Sequence, residues 1–210
     1  MIKIWGRAAA LNVQKVLWCA DELGLDYSQI DAGQHHGVVD GPDYRALNPN
    51  GRIPTLEDGA FVLWESNVIV RYLAGKYGMG ALCPTALAAR ADSDRWMDWQ
   101  STTVFYPTFR AYYLTIARTP PEQHDKKQLA ETRVRLIDLF MILNDHLGGR
   151  PYVAGTVLTM GDIPIGCVID KWMRMPIERP QMKNVDAYYH RLQQRPAYCA
   201  RVSSLPYNAV

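Results

Sequence analysis

The feature that most constrains this fold is a proline placed directly before a short apolar segment. Residues 48–56 read NPNGRIPTL, so Ile53-Pro54 leads from a turn into a strand that begins at Thr55. Proline lacks an amide donor and is found in sheets mainly at edges and at the first position of strands. A little farther along, residues 64–67 read WESN, a pattern typical of a helix beginning. A strand edge and a helix start are therefore close together in the chain.

The first 77 residues show alternating strand and helix patterns, which predict an α/β layer. The predicted strands cover residues 1–5, 27–31, 55–57 and 61–63. The last two are joined by Asp58-Gly59, a strong hairpin signal. The predicted helices cover residues 11–23, 42–47 and 65–77. The order is β-α-β-α-β-β-α, and its opening β-α-β unit implies parallel strands.

Strand signals end at a linker that contains Gly78 and Pro84, and helical patterns follow. The predicted helices cover residues 86–114, 126–147 and 185–195, with another that opens at residues 159–162 and runs to about residue 173; the first of them is bent near Pro107. Thr159 to Asp162 form a capping-box variant, with aspartate in place of glutamate. We therefore predict an α/β domain over residues 1–80 and an all-α domain over residues 86–210.

Composition excludes several classes of function. The chain is 48% hydrophobic and 21% charged, which is ordinary for a soluble globular protein. Its net charge of +2 gives no reason to expect nucleic acid or an anionic membrane as partner. No apolar run is long enough to span a bilayer, and no secretory signal is evident, so we expect a cytoplasmic protein. The cysteines and the isolated histidines lack metal-ligand spacing, so no metal is predicted.

Ile53-Pro54 and Glu65-Ser66 together suit an extended ligand with a free amino-acid end. A cis bond before Pro54 would turn the Ile53 amide and carbonyl outward, where they can pair with such a ligand, although trans is the commoner form. The helix start at Ser66 offers free amides and positive dipole character to a carboxylate. Glu65 can take an ammonium group. The alternative is that Ser66 only caps its helix.

Taken together, the segments GRIPTL at residues 51–56 and WES at residues 64–66 resemble the glutathione-site signature of cytosolic glutathione transferases. The order of elements resembles their thioredoxin-like domain followed by their helical domain, and the resemblance covers essentially the whole chain. It implies glutathione as co-substrate, a small electrophilic or disulfide second substrate, and a homodimer. The dimer face would be formed by the helices that carry Arg71 and Asp98.

The resemblance also implies a role for each matching residue. Pro54 would be the cis proline, and Ile53 would pair main chain to main chain with the cysteinyl residue of glutathione. Glu65 and Ser66 would hold the γ-glutamyl amine and carboxylate. The candidates for the glycyl carboxylate are Arg52, Gln34, His35 and His36, and of these we name Arg52 and His36.

The family places a donor for the glutathione thiolate in the loop after the first strand or at the start of the first helix. Such a donor favours the ionised sulfur, which is the nucleophile. Residues 6–16 read GRAAALNVQKV, so Ala10 stands where theta-like enzymes carry serine, and no cysteine is present. Asn12 matches the asparagine of nu-class-like bacterial transferases, whose members also lean towards disulfide reduction. We predict Asn12 as the catalytic donor, with simple helix capping as the alternative.

The predicted function is glutathione S-transferase, which conjugates glutathione to small electrophiles or reduces disulfides. The run Ala8-Ala9-Ala10 supports an alternative, a glutathione-binding or ligand-carrying protein with little catalysis. A third possibility is a protein-interaction module on the same scaffold. The second substrate is expected between the domains, where Tyr106, Phe109 and Tyr113 are the predicted wall residues.

Overall fold

In the computed structural model, which describes residues 1–208, the first part of the chain forms one four-stranded sheet with three helices. The strands are β1 Ile2–Trp5, β2 Tyr27–Ile30, β3 Thr55–Asp58 and β4 Phe61–Trp64. The helices are α1 Leu11–Glu22, α2 Pro42–Leu47 and α3 Ser66–Tyr77. The sheet order is β2-β1-β3-β4, with β1 parallel to β2 and the other neighbours antiparallel. The predicted element order and the parallel β-α-β unit are confirmed.

The sheet register brings the loop after β1 next to the Ile53-Pro54 step. Trp5, the last residue of β1, pairs with Thr55, the first residue of β3. Gly6 follows with a φ of 141°, and a Cβ atom there would lie 2.5 Å from the Val13 side chain and 3.2 Å from the Ile53 Cβ. Only glycine lets the backbone pass between these two side chains. The C-terminal end of β1 and the start of β3 are thereby held together.

The rest of the chain is helical. The helices are α4 Leu87–Trp99, α5 Arg110–Arg118, α6 Lys126–His146, α7 Asp162–Arg174, α8 Lys183–Leu192 and the short α9 Pro196–Tyr198. Between α4 and α5 the chain continues as a π-helical segment, Gln100–Phe109, that contains Pro107. The helix predicted over residues 86–114 is thus one continuous rod that ends later, at Arg118. Proline removes a donor from the regular helical ladder, which is consistent with the wider turns there.

Helix α1 joins the two parts of the molecule. It packs against α3 on one side and against α7 on the other. Trp18 is fully buried, and its ring centroid lies 4.8 Å from that of Tyr198. Gly166 in α7 gives room for this indole, because a Cβ atom there would come within 2.8 Å of it. The core is therefore continuous from the sheet into the helical part.

The start of α7 is held by the buried side chain of Asp162. Its carboxylate accepts hydrogen bonds from the amide of Thr159 at 2.8 Å and from the amide of Val153 at 2.9 Å. Burial raises the pKa of Asp162 to about 6, while these hydrogen bonds act in the opposite direction. One of the two hydrogen bonds of the predicted capping box is therefore present, namely the bond from the Thr159 amide to the Asp162 carboxylate.

None of the helices within residues 1–208 is both long and apolar enough to cross a bilayer.

Candidate functional site

A cleft of about 460 Å³ opens between the first part of the chain and the helical rod of α4 and α5. It brings together most of the residues predicted from the sequence, and it takes them from both parts of the molecule. These are Asn12, Arg52, Ile53, Pro54, Glu65, Ser66, Tyr106 and Tyr113. The cleft is thus the candidate active site.

The Ile53–Pro54 peptide bond is cis. The loop before it is fixed from behind, because the Arg52 carbonyl accepts hydrogen bonds from Tyr44 Oη at 2.7 Å and from Asn48 Nδ2 at 2.8 Å. Both groups also contact the hydroxyl of Thr55, at 2.9 and 3.2 Å. Across residues 1–208, no hydrogen bond uses the N–H or the C=O of Ile53. The main chain of Ile53 is therefore free to pair with an extended ligand in the cleft.

The start of α3 is an open anion site. Ser66 is the first residue of this helix, and no side chain caps the helix. The first hydrogen bond of the helix runs from the Ile69 amide to the Glu65 carbonyl at 2.9 Å. The amide N–H groups of the helical residues before Ile69 are therefore free to donate. Ser66 is therefore not acting as the cap of α3. Free amides, helix dipole and the Ser66 hydroxyl together suit a carboxylate.

Glu65 has an unusual backbone conformation. Its φ is 72° and its ψ is 109°, which for a residue with a side chain costs on the order of 1–3 kcal/mol. The conformation places Glu65 on the cleft wall beside Ser66. A carboxylate and a helix start next to each other present complementary charges to an ammonium and a carboxylate on one ligand carbon.

Asn12 is the second residue of α1, and the cap position belongs to Ala10, which has no side-chain hydrogen bond. Asn12 is therefore not the cap of its helix. Its Nδ2 lies 3.5 Å from the Tyr106 hydroxyl across the cleft, a long and weak contact. Its Oδ1 is buried and has no partner within the described residues. Because the Nδ2 contact to Tyr106 is long, a stronger acceptor in the cleft can replace it.

Two predicted site residues lie elsewhere. His36 does not line the cleft, whereas Gln34, in the same 3₁₀ turn, does. A 3₁₀ turn has three residues per turn, so its members face different directions, and His36 lies against His35 at 3.9 Å between ring centroids. Phe109 is fully buried and packs against Tyr113 and Phe140, so it belongs to the core.

A buried lysine lies behind the site. Lys15 Nζ donates to Asn67 Oδ1 and to Gln100 Oε1, both at 3.1 Å. Asn67 Nδ2 donates in turn to the Met97 carbonyl at 2.8 Å. Burial lowers the pKa of Lys15 to about 8. This network ties α1, α3 and the π-helical segment together under the cleft.

Sequence reasoning missed three arginines of the cleft wall, Arg7, Arg110 and Arg118. A signal for two of them exists, because Tyr106, Arg110, Leu114 and Arg118 recur every four residues, as on one helix face. Arg7 has no such signal, since it follows β1 in an irregular loop.

The side chains that line the cleft include no cysteine. No group of three or more His, Cys, Asp or Glu side chains suited to a metal occurs in the described chain. Cys19, Cys83 and Cys167 are buried, and Cys199 is half-buried. Burial raises the pKa of Cys167 to about 12, which keeps it as an inert thiol.

Comparisons with known proteins agree with this geometry. The family model described as glutathione S-transferase, N-terminal domain, matches residues 11–76. Glutathione S-transferase GstB of Escherichia coli K12 is 37% identical over 199 residues, which cover 94% of this chain and 95% of that protein. Glutathione S-transferase 3 of Zea mays is 30% identical over 227 residues and covers 98% of this chain and 95% of that protein.

The theta-class glutathione S-transferase of Xanthomonas axonopodis pv. citri, solved with glutathione bound, has a similar structure. Its TM-score is 0.91 at 48% identity, with 96% of each chain covered. This likeness confirms the predicted fold class, a thioredoxin-like α/β part followed by a helical part. The chain belongs to the glutathione S-transferase family.

Proposed function

We propose that this protein binds glutathione in the cleft, stabilises its thiolate and transfers it to a small electrophile. The observation that carries the proposal is the meeting, in one cleft, of the free Ile53 main chain beside cis Pro54 with the open helix start at Ser66 and the carboxylate of Glu65. These groups match the peptide backbone and the free amino-acid end of glutathione.

We assign the parts of glutathione as follows. The Ile53 main chain pairs with the cysteinyl residue. Ser66 and the first amides of α3 bind the γ-glutamyl carboxylate, and Glu65 binds the ammonium group. Arg52 binds the glycyl carboxylate, and Gln34 adds a hydrogen-bond donor on that side, in the place first assigned to His36.

The chemical step is nucleophilic substitution by the glutathione sulfur. The thiol proton leaves to solvent, and Asn12 Nδ2 donates a hydrogen bond to the thiolate, which lowers the pKa of the thiol. The thiolate forms a carbon–sulfur bond while the leaving group departs with its electron pair. A disulfide substrate places a sulfur atom where the electrophilic carbon would be, so the same thiolate serves both reactions.

We further propose a cytoplasmic homodimer with an α/β domain at residues 1–80 and a helical domain at residues 86–210. Exposed apolar side chains on β4 and α3, namely Phe61, Val68 and Tyr77, supply an apolar face for a second copy. Arg71 of α3 pairs with Asp94 at 2.5 Å and with Asp98 in the same chain, so these charges are already matched within one copy. A monomeric mass in size-exclusion chromatography with light scattering would contradict the dimer.

The test of glutathione binding is calorimetric titration with reduced glutathione, alongside a conjugation assay with chlorodinitrobenzene. Ser66→Ala removes a hydroxyl that bonds to a carboxylate, so we expect affinity for glutathione to fall by about 1–3 kcal/mol. Ser204→Ala is the matched control, since Ser204 is exposed and lies outside the cleft. If wild type shows neither binding heat nor a rise in melting temperature at millimolar glutathione, the proposed function is wrong.

A further inference from the structure

The cleft contains more positive charge than glutathione needs. Its charged side chains are those of Arg7, Arg52, Arg110 and Arg118 and a single carboxylate, Glu65. Glutathione with an ionised sulfur brings three anionic groups and one ammonium. In the proposed binding mode, Glu65 takes the ammonium, the start of α3 takes one carboxylate and Arg52 takes the other. Arg7, Arg110 and Arg118 are left over.

These arginines have no hydrogen-bond or ion-pair partner among the described residues. Most arginines of this chain are held by a carboxylate or by backbone carbonyls, as Arg195 is by Glu22 at 2.6 Å and Arg179 is by the Trp172 carbonyl at 2.8 Å. Within residues 1–208, guanidinium groups that form neither a hydrogen bond nor an ion pair belong to Arg7, Arg52, Arg110, Arg118 and Arg135. All but the last line the cleft.

The unpartnered arginines are grouped opposite one another. Arg110 and Arg118 lie on one face of α5, spaced by two helical turns, with Leu114 between them. Arg7 lies across the cleft in the loop after β1, and its Nε is buried without a partner. Burial and the charge of Arg118 both lower the pKa of Arg7. Like charges gathered in a partly buried cleft are unfavourable until an anion joins them.

The space beside these arginines is large enough and apolar enough to suit the second substrate. Phe105, Tyr106 and Leu114 supply apolar and aromatic surface on the same wall, and Tyr106 lies next to Asn12, where the glutathione sulfur is proposed to react. A molecule that reaches from this sulfur along α5 therefore meets first an apolar surface and then positive charge.

We propose that the preferred second substrate is a carboxylate-bearing electrophile, whose apolar body lies against Tyr106 and Leu114 and whose carboxylate is bound by Arg7, Arg110 and Arg118. This proposal rests on the proposed binding of glutathione in the same cleft. A simpler role for the arginines is long-range attraction of glutathione itself. That role would not distinguish between two conjugates that differ only in the charge of the transferred group.

The experiment compares two glutathione conjugates by calorimetric titration. One carries a carboxynitrophenyl group on sulfur and the other a carbamoylnitrophenyl group, so a carboxylate is replaced by a neutral amide of similar size. Both are products of the same substitution, in which the thiolate bonds to a ring carbon and chloride departs with the electron pair. We expect the carboxylate conjugate to bind about tenfold more tightly, the effect of a charge-assisted hydrogen bond in a partly exposed site.

The variants are Arg110→Gln and Arg118→Gln, at exposed positions on the surface of α5 where loss of the charge leaves the core untouched. We expect each to reduce the preference for the carboxylate conjugate severalfold, and the double variant, which keeps Arg7, to reduce it further than either single variant. Arg135→Gln is the matched control, because Arg135 is also exposed and unpartnered but lies on α6 away from the cleft. It should retain the full preference.

The outcomes separate this proposal from the proposed function. Equal affinity of the wild type for the two conjugates, or a preference that is undiminished in the double variant, overturns the assignment to the arginines and leaves glutathione binding in place. If neither conjugate binds and glutathione does not bind either, the proposed function fails and this proposal fails with it. Uniform weakening of both conjugates in the arginine variants assigns the charges to attraction of glutathione and also overturns the proposal.

Discussion

We propose Asn12 as the side chain that stabilises the glutathione thiolate in this protein. The hydroxyl that theta-like relatives place nearby is absent, because Ala10 occupies that position and forms the cap of α1 without a side-chain bond. Asn12 lines the cleft, and its Nδ2 makes only a long contact, of 3.5 Å, to the Tyr106 hydroxyl. A neutral amide donates a weaker hydrogen bond than a positively charged group, so the stabilisation of the thiolate should be moderate.

We predict that Asn12→Ala raises the pKa of bound glutathione by about 1–2 units, because a hydrogen bond to a charged group contributes about 1.5–3 kcal/mol. The pH profile of kcat/KM with chlorodinitrobenzene measures this shift. Asn12→Ser restores a donor and should recover part of the activity. An unchanged pH profile in the alanine variant would remove Asn12 from the chemistry and leave the main-chain amides of α1 as the donors.

At the same scale, the sequence revealed the glutathione half of the cleft better than the half for the second substrate. The glutathione half is predicted by short local patterns, which contain Ile53, Pro54, Glu65 and Ser66. Each pattern indicates ligand binding without information from distant parts of the chain. Phe109 lies in the core and not on the cleft wall, because an aromatic side chain in a helix can face either the core or a pocket and the sequence does not distinguish the two. The chain is π-helical from Gln100 to Phe109, so its wider turns change which side chains face the cleft.

At the scale of elements, α7 depends on a single buried carboxylate. Asp162 accepts two amides and also the hydroxyl of Tyr188 at 3.1 Å, so it connects the loop before α7 with α8. The capping box was readable from the sequence, since it lies within four residues. The bonds to Val153 and Tyr188 were not, because they depend on how distant segments fold back on the helix start.

We predict that Asp162→Ala lowers the free energy of unfolding by about 2–4 kcal/mol, because it leaves buried donors without an acceptor. Thermal and urea unfolding measure the loss, and Asp138→Ala, at an exposed position of α6, is the control. The folded pKa of Asp162 is raised to about 6, above its unfolded value. The contribution of Asp162 should therefore fall as pH rises from about 4 to 6 and then level off. A difference between wild type and variant that grows over this pH range would contradict the raised pKa.

At the scale of the whole molecule, Lys15 connects the sheet-bearing part with the helical rod. Its ammonium group is buried among amide oxygens and not paired with a carboxylate. The periodicity of α1 predicts that Lys15 is helical but does not predict that it is buried. A lysine is normally expected on the surface. Its burial follows from the docking of the two parts, which a pattern along one helix does not contain.

We predict that the stability advantage of wild type over Lys15→Met grows as pH rises from about 8 to 10. The folded pKa of about 8 lies below the unfolded value near 10.5, so the unfolded chain binds more protons over this interval and stability rises with pH. The expected change is about 1–3 kcal/mol. Urea unfolding at several pH values checks it, with Lys126→Met, at an exposed position in the first turn of α6, as control. A constant difference would show that Lys15 titrates at the same pH in both states.

The contacts that cover α1 affect how the protein folds while it is being synthesised. Trp18 packs against Tyr198, and Glu22 pairs with Arg195. Asp21 pairs with Arg201 at 2.6 Å. All three partners of this helix are synthesised long after it. On a ribosome that adds about 5–20 residues per second, the indole face of α1 stays exposed for about 10–35 seconds, because about 180 residues separate Trp18 from Tyr198. A nascent chain at that stage offers a hydrophobic surface to a chaperone, and a stop codon shortly before residue 195 would leave that surface open permanently.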